Sequence, residues 1–288
     1  MATSHNSAIG TPVGTMEPAE TGGESCAIET FGLTRRFGDM TAADHVTLHI
    51  PYGIIFGLLG PNGAGKSTTI KMLTTLLEPS EGTATVAGFD IVKAPSHVRR
   101  SIGYVPQALS ADGGLTGYEN LNLSGHLYGI PRVERKRRIE ESLHFMGLTD
   151  FGRKLVKTYS GGMIRRLEIA QAMLHRPTVL FLDEPTVGLD PVARRAVWER
   201  LHELRQKYRM TVLITTHAMD EADELCDSLA IMHLGKVAAV GSPAALKTQV
   251  GPEATLDDVF VHFSGGVIQE EGNYRDVRQT RRTASRLG

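Results

Sequence analysis

Residues 60–68 read GPNGAGKST and fit the pattern GxxxxGK[ST] at every position. An almost wholly apolar run, 53–59, precedes this segment, and a helical pattern, 66–77, follows it. A buried strand, a glycine-rich turn and a helix in this order bind phosphate, because the turn amides and the helix N-terminus both attract anions. The segment therefore predicts an α/β fold with a nucleotide site, and a chance glycine-rich turn would lack these flanks.

The residue types in this phosphate loop each have a chemical reason. Gly63 and Gly65 let the backbone curl so that several N–H groups point at an anion. Lys66 should reach the β- and γ-phosphates, and Ser67 should ligate Mg²⁺ through its hydroxyl. The residues predicted to contact nucleotide here are Gly60, Asn62, Gly63, Ala64, Gly65, Lys66, Ser67 and Thr68.

A second motif narrows the choice among kinases, GTPases and ATPases. Residues 179–184 read VLFLDE, an apolar strand that ends in two acids. Asp183 would hold Mg²⁺ opposite Ser67, usually through water, and Glu184 would orient or deprotonate the attacking water. Two acids at a strand end can also form a solvated turn, but the phosphate loop in the same chain favours the catalytic interpretation.

The rest of the chain reads as two kinds of sheet and a helical insert. Runs 27–37 and 45–50 alternate apolar and polar residues, as strands of a half-buried antiparallel sheet do. Apolar residues at helical spacing among many charges mark residues 112–159 as a helical insert. Strands alternating with helices predict a parallel sheet with crossovers; the strands are 179–182, 212–215 and 229–233, and the helices are 192–208 and 218–226.

Composition limits the partners and the compartment. The formal net charge is -1, so no global field draws the protein onto nucleic acid, and we expect no nucleic-acid partner. The two cysteines give no disulfide framework. No apolar run approaches the ~20 residues that cross a bilayer, so a membrane function would need spanning helices from another chain.

Residues 159–163, YSGGM, form a second anion-binding helix start. Ser160 is a suitable N-cap, and Gly161 and Gly162 permit close backbone approach. One nucleotide does not need two such cradles in one chain. A head-to-tail pair of chains would use both.

With this motif, the sequence resembles the ABC ATPases over about residues 27–250, because SGG before a helix is their signature. Four further marks of the family fall in order. Phe37 matches the aromatic residue that stacks on adenine, and Gln107 in YVPQ matches the Q-loop glutamine. Asp190 in GLDP matches the loop that contacts the opposite subunit, and His217 in TTHAMDEAD matches the switch histidine.

The resemblance implies the ABC ATPase fold: a P-loop NTPase parallel-sheet core, an N-terminal antiparallel β part and a helical subdomain. It also implies a dimer of two copies with two ATPs at the interface, and Gln107 as the hinge of the helical insert. On this basis the catalytic residues are Lys66, Glu184 and His217, the Mg²⁺ residues are Ser67, Gln107 and Asp183, and the further nucleotide contacts are Phe37, Gln107, Ser160, Gly161, Gly162 and Asp190.

Residues 159–191 and the ending 254–263 (ATLDDVFVHF) look like the daunorubicin-resistance-type (ABC-2) exporters. That subfamily pairs one ATPase chain with a separate polytopic membrane permease and exports drugs, lipids or polysaccharides. The implied location is the cytoplasmic face of the cell membrane, as a peripheral protein. The alternative is a soluble ABC ATPase acting on ribosomes or nucleic acid, but such proteins usually carry two cassettes or a long coiled-coil insert.

The expected organisation has three parts: a disordered lead-in at 1–25, an ABC ATPase domain at 26–250 with its helical subdomain at about 112–160, and a C-terminal helix and basic tail at 251–288. Thr255 and Asp258 form a capping-box pattern for that helix. Tyr159 and Met163 depart from the commonest signature, which has Leu and Gln there. Neither change removes the serine or the glycines, so we expect activity to be retained.

Overall fold

A computed structural model of the chain describes residues 26–264. Its ten strands form two sheets, one of four strands in the order β2-β1-β4-β5 and one of six in the order β10-β9-β3-β8-β7-β6. The strands are β1 Cys26–Phe37, β2 Met40–Pro51, β3 Ile55–Leu59, β4 Glu81–Val86, β5 Phe89–Asp90, β6 Ile102–Val105, β7 Val179–Asp183, β8 Thr211–Thr216, β9 Ser228–His233 and β10 Lys236–Gly241.

The six-stranded sheet is the predicted parallel core. Strands β9, β3, β8, β7 and β6 pair in parallel, and only β10 is antiparallel, to β9. Strand β3 is buried along its whole length: Ile55 and Leu59 face one apolar core, and Phe56 faces the other. A strand covered on both faces reads as a continuous apolar run, which is why the sequence revealed it.

The four-stranded sheet is antiparallel and packs on one side of this core. Its two long strands were predicted at 27–37 and 45–50, although β2 begins earlier, at Met40, and the structure pairs them with Glu29 opposite His49. Strands β4 and β5 were not predicted, because the segment around Gly82 has few large apolar residues. Tight pairing defines β4 instead, since a Cβ at Gly82 would lie 2.2 Å from the carbonyl oxygen of Gly32.

Most predicted helices are present with small changes at their ends. The exception is α1, which was predicted to reach residue 77 but ends at Leu73. The reason is local, because Thr75 adopts a left-handed backbone with φ 62°. The helices are α1 Lys66–Leu73, α2 Pro95–Ser101, α3 Gly117–Leu127, α4 Arg132–Phe145, α5 Gly161–Met173, α6 Pro191–Tyr208, α7 Met219–Leu225, α8 Pro243–Val250 and α9 Leu256–Phe263.

The predicted helical insert between β6 and β7 contains α3, α4 and two short 3₁₀ turns before α5 begins. Many charges on α4 are paired within the helix: Arg137 and Arg138 both pair with Glu134. The exposed face of the basic run 132–138 is therefore partly paired within the helix, whereas Arg135 is buried and donates to Asn122 Oδ1 and to the carbonyl oxygen of Ile130.

The C-terminal helix α9 begins with the predicted capping box, in which the side chains of Thr255 and Asp258 each accept a backbone N–H. No helix within residues 26–264 combines the length and apolar character needed to span a membrane. The lead-in 1–25 and the basic tail lie outside the described residues, and the division into domains stays a prediction.

Candidate nucleotide-binding site

Four neighbouring strands of the parallel sheet end at one site. The phosphate loop follows β3, His217 follows β8, Glu184 follows β7, and Gln107 lies two residues after β6. Strands β3, β8, β7 and β6 are consecutive in the sheet, so their carboxyl ends meet along one edge. Open α/β sheets bind ligands in the crevice outside this edge.

The phosphate loop curls at two glycines. Gly63 has φ 80° and Gly65 has φ 98°, both in the left-handed region. A Cβ at Gly65 would lie only 2.4 Å from the carbonyl oxygen of Ala42 in β2, so a side chain cannot fit there. The antiparallel sheet therefore supports the loop from behind.

Lys66 begins α1 and is almost fully buried. Its Nζ donates to the carbonyl oxygens of Gly60, at 2.7 Å, and Pro61, at 3.0 Å. Burial lowers the pKa of Lys66, while the neighbouring carboxylates of Glu184 and Asp183 raise it. The lysine thus lies inside the loop that precedes it, with a carboxylate close by.

Glu184 is the centre of the site. Its Oε1 lies 3.4 Å from Lys66 Nζ and 3.3 Å from His217 Nδ1, and its Oε2 accepts from Gln107 Nε2 at 3.4 Å. The Glu184 side chain is 6% exposed, whereas that of His217 is 46% exposed. Glu184 has φ 48°, an unusual backbone for a residue with a side chain, and strain of this kind occurs at functional sites.

Asp183 and Ser67 form an oxygen-rich pair beside Glu184. Ser67 Oγ donates to Asp183 Oδ1 at 3.0 Å, and the buried Thr215 Oγ1 donates to the same oxygen at 2.6 Å. Carboxylate and hydroxyl oxygens are the donors that Mg²⁺ prefers, so these residues fit that ion.

The signature segment lies at the start of α5. Ser160 caps this helix, accepting from the backbone N–H of Met163 at 3.3 Å. Ser160 and Gly161 are exposed, while Gly162 packs against α6, where a Cβ would lie 2.7 Å from Ala193 Cβ. The capped helix start that the sequence predicted is therefore present, with Ser160 and Gly161 accessible, and anion binding there stays a prediction.

Two predicted contacts have local partners in the chain. The Asp190 carboxylate caps α6, accepting from the N–H groups of Val192 at 3.0 Å and Ala193 at 2.9 Å. Phe37 is 43% exposed at the end of β1, and the Arg35 guanidinium lies 4.7 Å from its ring centroid. A cation already covers part of this ring.

The structure also reveals positions that sequence reasoning missed. Thr215 binds both site acids, because its Oγ1 also accepts the N–H of Glu184 at 2.9 Å. The buried Glu221 accepts from Thr186 Oγ1 at 2.6 Å and from Trp198 Nε1 at 3.0 Å. Glu221 thereby connects helix α7, which follows His217, to the loop after Glu184. The only sign of this contact in the sequence was a polar residue one helical turn beyond the histidine.

The unusual signature residues have structural partners. Tyr159 is 7% exposed, and its hydroxyl donates to the carbonyl oxygen of Phe151 at 2.7 Å. Met163 is half-buried against the larger apolar core. Tyr159 thus anchors the approach to Ser160 from within the helical insert.

Comparison with known proteins agrees with this geometry. The model of the ABC transporter family matches residues 43–187. The daunorubicin/doxorubicin resistance ATP-binding protein DrrA of Streptomyces peucetius is 48% identical, over 78% of this chain and 68% of that protein. The chain belongs to the ABC transporter ATP-binding proteins.

Two further proteins are similar to this ABC protein, one a curated drug-resistance relative and the other a solved structure. The linearmycin resistance ATP-binding protein LnrL of Bacillus subtilis is 38% identical over 80% of this chain and 73% of that protein. A solved ATP-binding subunit of an ABC transporter superposes with a TM-score of 0.73 at 33% identity, covering 82% of this chain and 99% of that one. The ABC ATPase fold and ATPase activity predicted from the sequence are confirmed.

Proposed function

We propose that this ABC ATPase drives a drug-type membrane exporter, and that Glu184 activates the water that attacks ATP. The observation that carries the chemistry is the convergence of Lys66, Gln107 and His217 on the Glu184 carboxylate, each at 3.3 to 3.4 Å. A buried carboxylate can accept the proton of the water, and His217 can hold the γ-phosphate. Lys66 Nζ exchanges its carbonyl partners for the β- and γ-phosphates.

Mg²⁺ is the metal that fits the donors Ser67, Asp183 and Gln107. When bound, it neutralises phosphate charge. Thr215 already orients Asp183 for this role by donating to its carboxylate. Ser67 lies one residue after Lys66, so the first turn of α1 carries both a phosphate-binding lysine and one metal ligand. The base and the metal donors also differ: Glu184 faces Lys66 and His217, whereas Asp183 faces Ser67.

The working unit in this proposal is a dimer of two copies. Ser160 and Gly161 are exposed at a capped helix start, which suits an anion supplied by another molecule. Asp190, as the cap of α6, would then position the partner-facing loop by backbone hydrogen bonds. Phe37 would stack on adenine by its exposed face.

The exporter assignment rests on relatives described as ATP-binding proteins of drug resistance. A separate polytopic permease would complete the transporter, with this subunit bound at the cytoplasmic face of the membrane. The relatives differ in the drug they are named for, so in this proposal the permease partner, and not the ATPase, selects the exported compound.

Purification from native membranes in mild detergent tests the exporter assignment. It should recover a polytopic membrane protein, with ATPase activity rising in the complex. Recovery of ribosomes without such a protein would favour the soluble alternative.

The chemistry is tested by Glu184→Gln, which keeps the side chain's size and removes its basicity. The turnover number should fall about 10²- to 10⁴-fold, the contribution of a general base. ATP binding and ATP-dependent dimerisation, followed by gel filtration, should persist. Glu199→Gln, an exposed change on the middle of α6, is the matched control. Turnover near the wild-type rate in Glu184→Gln would remove Glu184 from the mechanism.

A further inference from the structure

Arg165 and Glu168 form a buried ion pair on α5, and both touch the loop that carries Gln107. Arg165 Nη1 lies 3.0 Å from Glu168 Oε2, and the two side chains are 3% and 2% exposed. The same guanidinium donates to the carbonyl oxygens of Pro106 and Gln107, each at 2.8 Å. This arrangement fixes the first half of the loop.

Glu168 fixes the second half of the same loop. Its Oε1 accepts from the backbone N–H and the hydroxyl of Ser110, the latter at 3.1 Å, and from the N–H of Ala111 at 3.2 Å. One oxygen of Glu168 thus binds the loop, and the other binds Arg165. The pair grips residues 106–111 at both ends.

The hydrogen bonds between the buried ion pair and the loop 106–111 stabilise both of them. A buried ion pair costs several kcal/mol per ion in desolvation unless its hydrogen-bonding groups are satisfied. Here much of that satisfaction comes from backbone groups of the loop, so the pair and the loop path depend on one another. Residues 107–110 are otherwise exposed, and an exposed loop without such anchors adopts many positions.

The loop matters because its first exposed residue enters the site. Gln107 Nε2 lies 3.4 Å from Glu184 Oε2, while the Gln107 carbonyl oxygen is held by Arg165. Arg165 therefore holds the backbone of the same residue whose side chain contacts the Glu184 carboxylate. Small displacements of a positioning group lower catalytic rates strongly.

We propose that Arg165 and Glu168 are positioning residues for ATP hydrolysis, which hold residues 106–111 so that Gln107 reaches Glu184. The proposal rests on the proposed role of Glu184 and Gln107 in hydrolysis. It also attaches the backbone of Gln107 to α5, the helix that Ser160 caps five residues before Arg165.

The test is a double-mutant cycle on the purified full-length protein, with steady-state ATPase kinetics. Arg165→Lys keeps the charge but loses the planar fork that donates to two carbonyls and a carboxylate. The turnover number should fall about tenfold, with KM for ATP changed less than about twofold. In a Gln107→Ala background, the same substitution should lower the turnover number less than about twofold, because the side chain that it positions is gone.

Arg135→Lys is the matched control, since Arg135 is also buried but its guanidinium donates to Asn122 Oδ1 and to the carbonyl oxygen of Ile130 instead of to the loop. It should change the turnover number less than about twofold in both backgrounds. A tenfold loss from Arg165→Lys in both backgrounds would overturn the proposal, as would a rise in KM with an unchanged turnover number. Unchanged turnover in Gln107→Ala alone would also overturn it, whereas failure of the Glu184 role appears separately in Glu184→Gln.

A second variant weakens the same contact from the exposed loop, where a substitution does not disturb the buried core. Ser110→Ala removes one of the donors to Glu168 Oε1. It should lower the turnover number about two- to threefold in the wild-type background and not at all with Gln107→Ala. If Arg165→Lys does not fold, an unchanged turnover number in Ser110→Ala overturns the proposal.

Discussion

Replacing Thr215 by valine should disturb the orientation of the two site acids, Asp183 and Glu184, while leaving the rest of the fold intact. Thr215 is fully buried; its Oγ1 donates to Asp183 at 2.6 Å and accepts the N–H of Glu184 at 2.9 Å. A hydrogen bond to a carboxylate contributes about 1.5–3 kcal/mol, and a neutral one about 0.5–1.5 kcal/mol. The Glu184 N–H keeps a second acceptor, the Thr215 carbonyl oxygen at 3.2 Å, so the loss is mainly that of the bond to Asp183. We therefore expect the free energy of unfolding to fall by about 1.5–3 kcal/mol.

The assay is urea unfolding followed by the fluorescence of the single tryptophan, Trp198, with the slope checked for equality between variants. Thr216→Val is the control, because Thr216 is equally buried but accepts only the N–H of Ala218, at 3.0 Å. It should cost about 0.5–1.5 kcal/mol. Thr215→Val should also raise the Mg²⁺ concentration needed for half-maximal ATPase activity. Equal losses of stability in the two variants, with the same Mg²⁺ dependence, would refute the reasoning.

Two substitutions test other parts of the site. Phe37→Ala should weaken ATP binding at least about fivefold, because stacking on a base contributes about 1–3 kcal/mol; the turnover number at saturating ATP should stay near wild type, and an unchanged Kd by fluorescence titration would show that adenine binds elsewhere. Tyr159→Phe removes the hydrogen bond to Phe151 while keeping the ring; the free energy of unfolding should drop by about 0.5–1.5 kcal/mol with ATPase activity retained, and a large loss of activity would mean that the hydroxyl contacts nucleotide.

The central site was predictable because its residues follow strands that read clearly. Lys66, Glu184 and His217 each come directly after or close to a buried apolar run, and parallel strands bring such positions to one edge. Thr215 was not predictable as a site residue, because a threonine in a buried strand looks like an ordinary β-branched residue. Its role depends on which carboxylates lie beside it.

The charged pair on α5 was hidden for a related reason. Arg165 and Glu168 are three residues apart, the spacing of a common surface ion pair on a helix. They are buried because α5 packs under the loop 106–111 and against β6 and its neighbouring helices. Asp190 illustrates the opposite case: an acid before a proline at a helix start is typical of the observed cap, whereas the contact with the opposite subunit is implied by the family resemblance alone.

The order of the strands has a consequence for how this chain tolerates changes in length. Each of β3, β8, β7 and β6 brings at least one site group to the shared edge, and neighbouring strands lie about 4.8 Å apart. A single residue inserted in β7 would turn Asp183 to the opposite face of the sheet, away from Ser67, because side chains alternate along a strand. The connections at the other edge, such as the one from Tyr208 to Thr211, carry no such group. Natural variation in length should therefore collect at the amino-terminal ends of these strands and in the insert, and spare the short segments that run from each strand into the site.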